Sequence, residues 1–139
     1  MIKDEIQLRP RYGEVDKMGY VYHANYVSYC HQARTELLRK YGINDKALED
    51  NNVMLPVISF EINYLKASHY DELLTIKTTI KEMPDVRFHF EFEIINEQND
   101  IKSKAKSTVV FVDMQSRFPM NRPDFVEEAI GSYFNPISS

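Results

Sequence analysis

The residue types with the most chemical potential lie in one short stretch, residues 11–26, which ends where a long helix is predicted to begin. This stretch contains Asp16, then Gly19, and His23 close to the helix start. A carboxylate can act as a nucleophile or general base, and free N–H groups at a helix N-terminus can stabilise developing negative charge. The position of Asp16 therefore offers both functions side by side.

Asp16 also has a purely structural interpretation. Residues 16–19 (Asp-Lys-Met-Gly) fit a type I turn, with aspartate at the first position and glycine at the fourth. Spacing alone favours the turn. The two roles are compatible, since a turn residue can also carry out chemistry.

The histidines and the single cysteine do not form the patterns of other catalytic sites or of metal sites. His23 has no serine in a supporting context, and Cys30, the only cysteine, falls on the apolar stripe of the helix, which disfavours a Ser–His or Cys–His mechanism. His31, His69 and His89 lack metal-ligand spacing, and a single cysteine excludes a cysteine-based zinc site. We therefore expect no metal and no other cofactor.

The element that must position Asp16 is a helix predicted over residues 25–41. Its apolar residues recur at helical spacing, namely Tyr26, Tyr29, Cys30, Ala33, Leu37 and Tyr41. Asn25 has a side chain favoured at an N-cap, which predicts that the helix starts just after it, and Gly42 is suited to a left-handed C′ residue that ends it. Residues 24–33 carry no formal charge if His31 is neutral, so we expect this half of the helix to be the more enclosed.

Strand patterns account for much of the remaining chain. The first is predicted over residues 4–12, where Pro10 interrupts the ladder and indicates an edge position or a bulge. Four more segments alternate apolar and polar residues, at 57–66, 73–81, 86–94 and 101–111. This alternation predicts an antiparallel sheet covered on one face. Two short helices are also predicted, at 45–50 after the N-cap Asn44 and at 123–134 with Pro123 at or near its first position.

Two finer expectations concern the last pair of strands. Pairing Glu93 with Lys102 and Glu91 with Lys104 would match opposite charges and keep the apolar residues on one face. The run Val109–Val112 is apolar on both faces, which predicts a protein–protein contact.

Composition limits the number of domains, the possible partners and the expected location of the protein. A chain of 139 residues with 43% hydrophobic residues predicts one domain, 1–139, with a real core. The net charge of −4 argues against a nucleic-acid partner, because such binding needs a cationic surface. Charged residues near the N-terminus and the lack of a long apolar run argue against a signal peptide and a membrane partner, so we expect a cytoplasmic protein.

These elements predict an α+β architecture in which a five-stranded antiparallel sheet wraps around one long helix. The motif residues within it are Tyr12, Glu14, Asp16, Met18, Gly19, the block Val21–Tyr26, Arg34-Thr35-Glu36, Tyr64-Leu65-Lys66 and Tyr70-Asp71. Their combination resembles the hotdog-fold acyl-CoA thioesterases of the 4-hydroxybenzoyl-CoA thioesterase-like family over residues 4–115. Val15 departs from the pattern, because many members have threonine before the aspartate.

The resemblance implies roles for three residues. Asp16 would attack the thioester carbonyl or activate the water that does. The backbone N–H of His23, rather than its ring, would polarise the carbonyl oxygen, with Gly19 allowing close approach. If Asn25 is the N-cap, however, the helix starts later and the donor amide could differ.

Candidate substrate-binding residues follow from position. Tyr22 and Tyr26 could line an acyl or aryl pocket, although such aromatic residues are more often core. Lys66 and Arg87, at the ends of predicted strands, could bind the phosphates of coenzyme A, with solvated strand ends as the alternative.

The resemblance implies an acyl-CoA thioesterase that releases a carboxylate and a free thiol without a metal. The alternatives are a thioesterase for acyl carrier protein, a non-catalytic acyl-CoA-binding protein and a hotdog dehydratase. It also implies a homodimer joined edge to edge, with the active site at the subunit boundary, and commonly a homotetramer.

Overall fold

The computed structural model describes residues 1–134, so the last five residues of the predicted single domain lie outside the described range. In chain order the elements are β1 (Ile2–Leu8), α1 (Asn25–Lys40), α2 (Asp45–Asp50), β2 (Val53–Met54), β3 (Val57–Tyr64), β4 (Leu74–Ile80), β5 (Arg87–Ile95), β6 (Ile101–Val110), β7 (Val112–Asp113) and α3 (Asp124–Ile130). Five strands form an antiparallel sheet in the order β1-β4-β5-β6-β3, and α1 packs against it. The predicted α+β architecture is confirmed. The small sheet formed by β2 and β7 was not predicted.

The sheet and α1 enclose the core because β4 and β5 place buried apolar residues at alternate positions, on one side of the sheet. Phe90 pairs with Ser107 and Phe92 pairs with Ala105, so a large residue faces a small one across β5 and β6. The rings of Phe88 and Phe90 stack at 4.5 Å between centroids. This alternation of size lets the sheet curve toward the helix.

The start of α1 differs from the prediction. Ala24 is the N-cap and Asn25 is the first helical residue. The Asn25 side chain donates to the carbonyl oxygen of Glu14 at 2.9 Å instead of accepting from a helix N–H. The N-cap prediction was wrong because a tertiary contact with the preceding loop uses that side chain.

The end of α1 is as predicted. Gly42 has φ +79°, the left-handed conformation that suits glycine. Its N–H donates to Arg39 O and the N–H of Ile43 donates to Leu38 O. These two bonds form a Schellman motif, which satisfies carbonyls left free at the helix end.

The two short helices also match their predictions in large part. Asn44 caps α2 by accepting from the N–H of Ala47 at 2.8 Å. Pro123 is the N-cap of α3 and directly precedes the first helical residue, near which it was predicted. The α-helix ends at Ile130, and a 3₁₀ turn, Gly131–Tyr133, occupies most of the remaining predicted length.

The register between β5 and β6 corrects the prediction. Glu93 pairs with Lys104 and Glu91 pairs with Lys106, two residues away from the predicted partners, of which Lys102 was one. Opposite charges still face each other. The faces are also preserved, since a shift of two residues leaves every side chain on the same side of a strand.

A β-bulge accounts for one residue of this two-residue shift, and the pairing of Ile95 with Ile101 at the end of the hairpin accounts for the other. Ile95 pairs with Ile101 but Ile94 pairs with Ser103, so Lys102 is an extra residue on β6 with no partner on β5. Bulges redirect side chains and depend on the geometry of the whole hairpin, which charge matching alone does not capture.

The apolar run Val109–Val112 is buried within the chain rather than exposed. Val110, the most exposed of the four, keeps 9% of its surface accessible. Val112 pairs with Met54 in the small sheet, and Met120 donates its N–H to the carbonyl of Phe111. The predicted protein contact at this run was therefore wrong, because the segments around it fold over both of its faces.

Exposed apolar surface lies instead on β3, an edge strand of the large sheet. Val57 and Ile58 keep 49% and 50% of their surface accessible, and Tyr64 at the other end keeps 47%. The opposite edge is β1, which ends two residues before Pro10. An uncovered edge with apolar side chains is suited to pairing with another strand. Among the described residues, no helix combines the length and apolar character needed to cross a membrane.

Candidate active site

Asp16 lies in the predicted turn. The Gly19 N–H donates to the Asp16 carbonyl oxygen at 3.0 Å, and Gly19 has φ +82°. Asp16 Oδ1 accepts from the N–H groups of Met18 at 2.8 Å and Tyr20 at 3.2 Å. Within residues 1–134, Oδ2 accepts no hydrogen bond, and the residue is exposed. The turn thus fixes the carboxylate through one oxygen and leaves the other accessible.

A short hairpin joins this turn to the start of α1. Val15 pairs with Val21, and the N–H of Tyr22 donates to Glu14 O at 2.8 Å. Asp16 therefore sits at the tip of a two-stranded loop whose base leads directly into the helix.

The helix start presents free amide donors. The Asn25 N–H donates to Tyr22 O and the Tyr26 N–H donates to His23 O, but the N–H groups of His23 and Ala24 find no acceptor in the described part of the chain. Donors of this kind at a helix N-terminus suit a negatively charged oxygen.

The His23 ring is exposed and contacts aromatic neighbours. Its centroid lies 4.6 Å from that of Tyr22 and 6.3 Å from that of Tyr64. The Tyr64 hydroxyl donates to the His23 carbonyl oxygen at 3.2 Å, which holds the backbone at the helix start. Neither the ring nor the backbone N–H of His23 makes a hydrogen bond within residues 1–134, so both are free.

A partly buried contact that sequence reasoning missed anchors the loop to α1. The Tyr29 hydroxyl donates to Glu14 Oε1 at 2.9 Å, and the same oxygen accepts from the Arg11 N–H at 2.8 Å. Burial opposes ionisation of Glu14, but hydrogen bonds from the Arg11 backbone, Tyr29 and the Arg11 side chain outweigh it and lower the pKa of Glu14. Burial, followed by the bond to Glu14, raises the pKa of Tyr29. The available signal was a tyrosine on the apolar stripe, since a buried hydroxyl usually needs a partner.

The segment after β3 also contacts the loop that carries Asp16. The Val21 N–H donates to Ser68 O at 2.8 Å, and Tyr20 pairs with His69. The Asp71 N–H donates to Pro10 O at 3.1 Å. Residues 67–72 therefore lie alongside the stretch that carries Asp16.

The two predicted tyrosines differ in accessibility. Tyr22 keeps 52% of its surface accessible, whereas Tyr26 keeps 3% and packs with Tyr64 at 5.3 Å between centroids. Tyr22 is therefore accessible to a ligand, whereas Tyr26 is a core residue beneath the helix start.

The two predicted cations lie at opposite ends of the sheet. Lys66 follows β3, bonds through its N–H to Lys102 O and pairs with Asp100 at 3.6 Å. Arg87 begins β5 and pairs with Val110. Along β6 the two partner positions are eight residues apart, roughly 26 Å for an extended strand. One chain therefore brings Lys66, but not Arg87, toward the Asp16 loop.

Cys30, His31 and His89 lie outside this site, whereas His69 lies beside Tyr20 in the segment next to the Asp16 turn. Burial raises the pKa of the Cys30 thiol to about 12, which keeps it protonated. His31 bonds to Arg34 and His89 bonds to Thr108, each within its own element or strand pair. No group of three or more potential metal-binding side chains occurs in residues 1–134.

Known proteins are similar to this chain in sequence and in architecture. A family model described as the thioesterase-like superfamily matches residues 10–130. YneP of Bacillus subtilis is 34% identical over 118 residues, covering 85% of this chain and 84% of YneP. The acyl-CoA thioester hydrolase YbgC of Escherichia coli O6:H1 is 33% identical over 116 residues, covering 84% of this chain and 87% of YbgC.

A solved structure is also similar over almost the whole chain. The DHNA-CoA thioesterase of Staphylococcus aureus matches with a TM-score of 0.82 at 25% identity, covering 96% of this chain and 87% of that one. This match confirms the predicted hotdog arrangement of one helix against a five-stranded sheet.

Proposed function

Because the chain belongs to the thioesterase-like superfamily, we propose that it hydrolyses acyl-CoA thioesters to a free carboxylate and coenzyme A. One observation carries the catalytic part of this proposal. A carboxylate with one free oxygen and two backbone N–H groups without acceptors in residues 1–134 belong to a single short hairpin and the helix it leads into. Thioester hydrolysis needs such a base or nucleophile and such donors.

Two routes use these groups. In the first, Asp16 takes a proton from water, the water oxygen bonds to the thioester carbon, and the His23 N–H stabilises the resulting oxyanion. In the second, Asp16 itself attacks and forms an anhydride, which water then cleaves. In both routes the C–S bond breaks, coenzyme A leaves as a thiolate that gains a proton, and no metal is required.

Substrate contacts are proposed from position. Tyr22 is an accessible aromatic residue beside the helix start, and Lys66 is an exposed cation that directly precedes residues 67–72, so these two suit the acyl group and a phosphate of coenzyme A. Gly19 has a positive φ of +82°, which favours glycine, and its lack of a side chain leaves the space beside the turn open to a substrate. Arg87 joins the same ligand only if a second subunit supplies it, and Tyr26 supports the pocket from beneath.

A homodimer would complete the site. Antiparallel pairing of two β3 edges would place the apolar start of one strand, near Val57, beside the end of the other, near Tyr64. Tyr64 contacts the backbone of His23. Each active site would then lie at the subunit boundary, and two dimers could associate into a homotetramer.

A substrate panel tests the proposed activity. Aromatic, short, medium and long acyl-CoAs and an acyl carrier protein thioester are incubated with the wild-type protein, and free thiol is measured. Turnover of at least one acyl-CoA supports the proposal, and faster turnover of the carrier-protein substrate would favour the alternative. Tight acyl-CoA binding without any thiol release would instead identify a non-catalytic binding protein.

A further inference from the structure

Lys102 is a buried cation that the proposed mechanism does not use. Its side chain keeps 8% of its surface accessible, whereas Lys104 and Lys106 on the same strand are exposed. The bulge that shifts the β5–β6 register also makes Lys102 the extra residue on β6. Its burial needs a compensating set of contacts, since an unpaired buried ammonium is strongly unfavourable.

Those contacts all go to the segment after β3. Lys102 Nζ donates to Ala67 O at 2.9 Å and pairs with Glu72 Oε2 at 3.3 Å. The other carboxylate oxygen of Glu72 accepts from the His69 N–H at 3.1 Å. The Lys102 carbonyl oxygen also accepts from the N–H of Lys66 at 3.0 Å. One residue therefore holds both ends of the segment 67–72.

The same segment holds the loop that carries Asp16. Ser68 O accepts from the N–H of Val21, and His69 pairs with Tyr20. Tyr20 in turn donates its N–H to Asp16 Oδ1 at 3.2 Å. The ion pair with Glu72, these hydrogen bonds and the peptide units between them thus connect the Lys102 ammonium through residues 67–72 to the Asp16 carboxylate.

We propose that Lys102 is a positioning residue that holds segment 67–72 and, through Tyr20 and Val21, the Asp16 turn. The kinetic consequence rests on the proposed thioesterase function, but the structural part does not. Displacement of a catalytic group by about 1 Å can reduce a rate by as much as a hundredfold, so a remote anchor of this kind can affect turnover strongly.

Amide hydrogen exchange tests the structural part. The variant Lys102→Met keeps an unbranched side chain of similar length but removes the ammonium. In this variant the amides of His69 and Val21 should lose protection from exchange, while those in the middle of α1 keep theirs. Lys104→Met, an exposed neighbour on the same strand, is the control and should leave all of these amides unchanged. Glu72→Gln should reproduce the loss at His69 in a milder form. Unchanged protection of His69 and Val21 in Lys102→Met would overturn the proposal.

Kinetics test the consequence for the site. Lys102→Met should lower kcat by about tenfold to a hundredfold with a smaller change in KM, whereas Lys104→Met should match the wild type. In the double variant with Asp16→Asn, Lys102→Met should lower kcat little further, because Lys102 acts through Asp16. Additive losses, or normal kcat despite lost protection, would refute the positioning role. If the wild-type protein hydrolyses no thioester, the proposed function fails, and the exchange data still decide whether Lys102 holds the segment.

Discussion

The Tyr29 hydroxyl donates a 2.9 Å hydrogen bond to the Glu14 carboxylate. This bond joins the first turns of α1 to the hairpin that carries Asp16. It therefore fixes the position of the hairpin relative to the helix start. The side chain of Asn25 reinforces the link by donating to the carbonyl of the same glutamate. Catalysis by Asp16 and the helix amides would depend on this connection.

The first prediction concerns Asp16. Asp16→Asn should lower kcat by at least about a hundredfold, the lower end of the contribution of a general base, because the amide neither takes a proton nor attacks well. Free-thiol release measures the loss. Circular dichroism and a thermal melt serve as controls, and near-wild-type turnover in a pure, folded sample would remove Asp16 from the mechanism.

The second prediction separates the backbone of His23 from its ring. Loss of one oxyanion donor costs roughly 2.7–4 kcal/mol, but His23→Ala keeps the backbone N–H and should cost much less. The comparison is between kcat values of His23→Ala and Asp16→Asn under identical conditions. Equal losses in the two folded variants would make the imidazole a catalytic group.

The third prediction is a pH dependence of stability set by Glu14. Its pKa in the folded protein is lowered from the ordinary value of 4.5, so its charged form stabilises the fold above that pH. This stabilisation is lost as the pH falls through the lower, folded-state pKa. Glu14→Gln should therefore cost about 1 kcal/mol near pH 7, and the difference should shrink at a pH well below 4.5.

Urea denaturation at the two pH values measures this difference. A gap between the wild type and Glu14→Gln that stays constant or widens at low pH would show that the Glu14 charge does not stabilise the fold.

The fourth prediction concerns the β3 edge. Ile58→Lys places a charge on the exposed apolar edge strand and should shift the protein toward monomer, with a parallel loss of activity. Gln7→Lys introduces the same charge on β1, the opposite edge, and should leave the assembly unchanged. Light scattering coupled to gel filtration, with activity measured across a dilution series, reports both effects. A fully active monomer would refute the shared site without affecting Asp16.

The fifth prediction concerns Cys30. Because burial raises the pKa of its thiol to about 12 and leaves 1% of the residue accessible, a thiol reagent should not modify it in the native protein. Modification should follow denaturation. Cys30→Ala should retain turnover, and rapid labelling of the folded protein with loss of activity would instead support a cysteine mechanism.

Local patterns in the sequence determined much of the fold. Helical spacing predicted α1, alternation predicted the strands, and Gly42 and Asn44 marked the end of one helix and the start of the next. These features depend on contacts within a few residues, so the sequence contains the necessary information. The turn at Asp16 belongs to the same group, because aspartate and glycine at its two ends satisfy it locally.

Only the tertiary structure decided how distant segments use the same residues. It placed Asn25 against Glu14, buried the run Val109–Val112 and turned Lys102 inward at a bulge. Each of these outcomes depends on a partner far away in the chain. The burial of an apolar or charged side chain is set by whatever covers it, and a local pattern shows only that a side chain needs a partner, not where that partner lies.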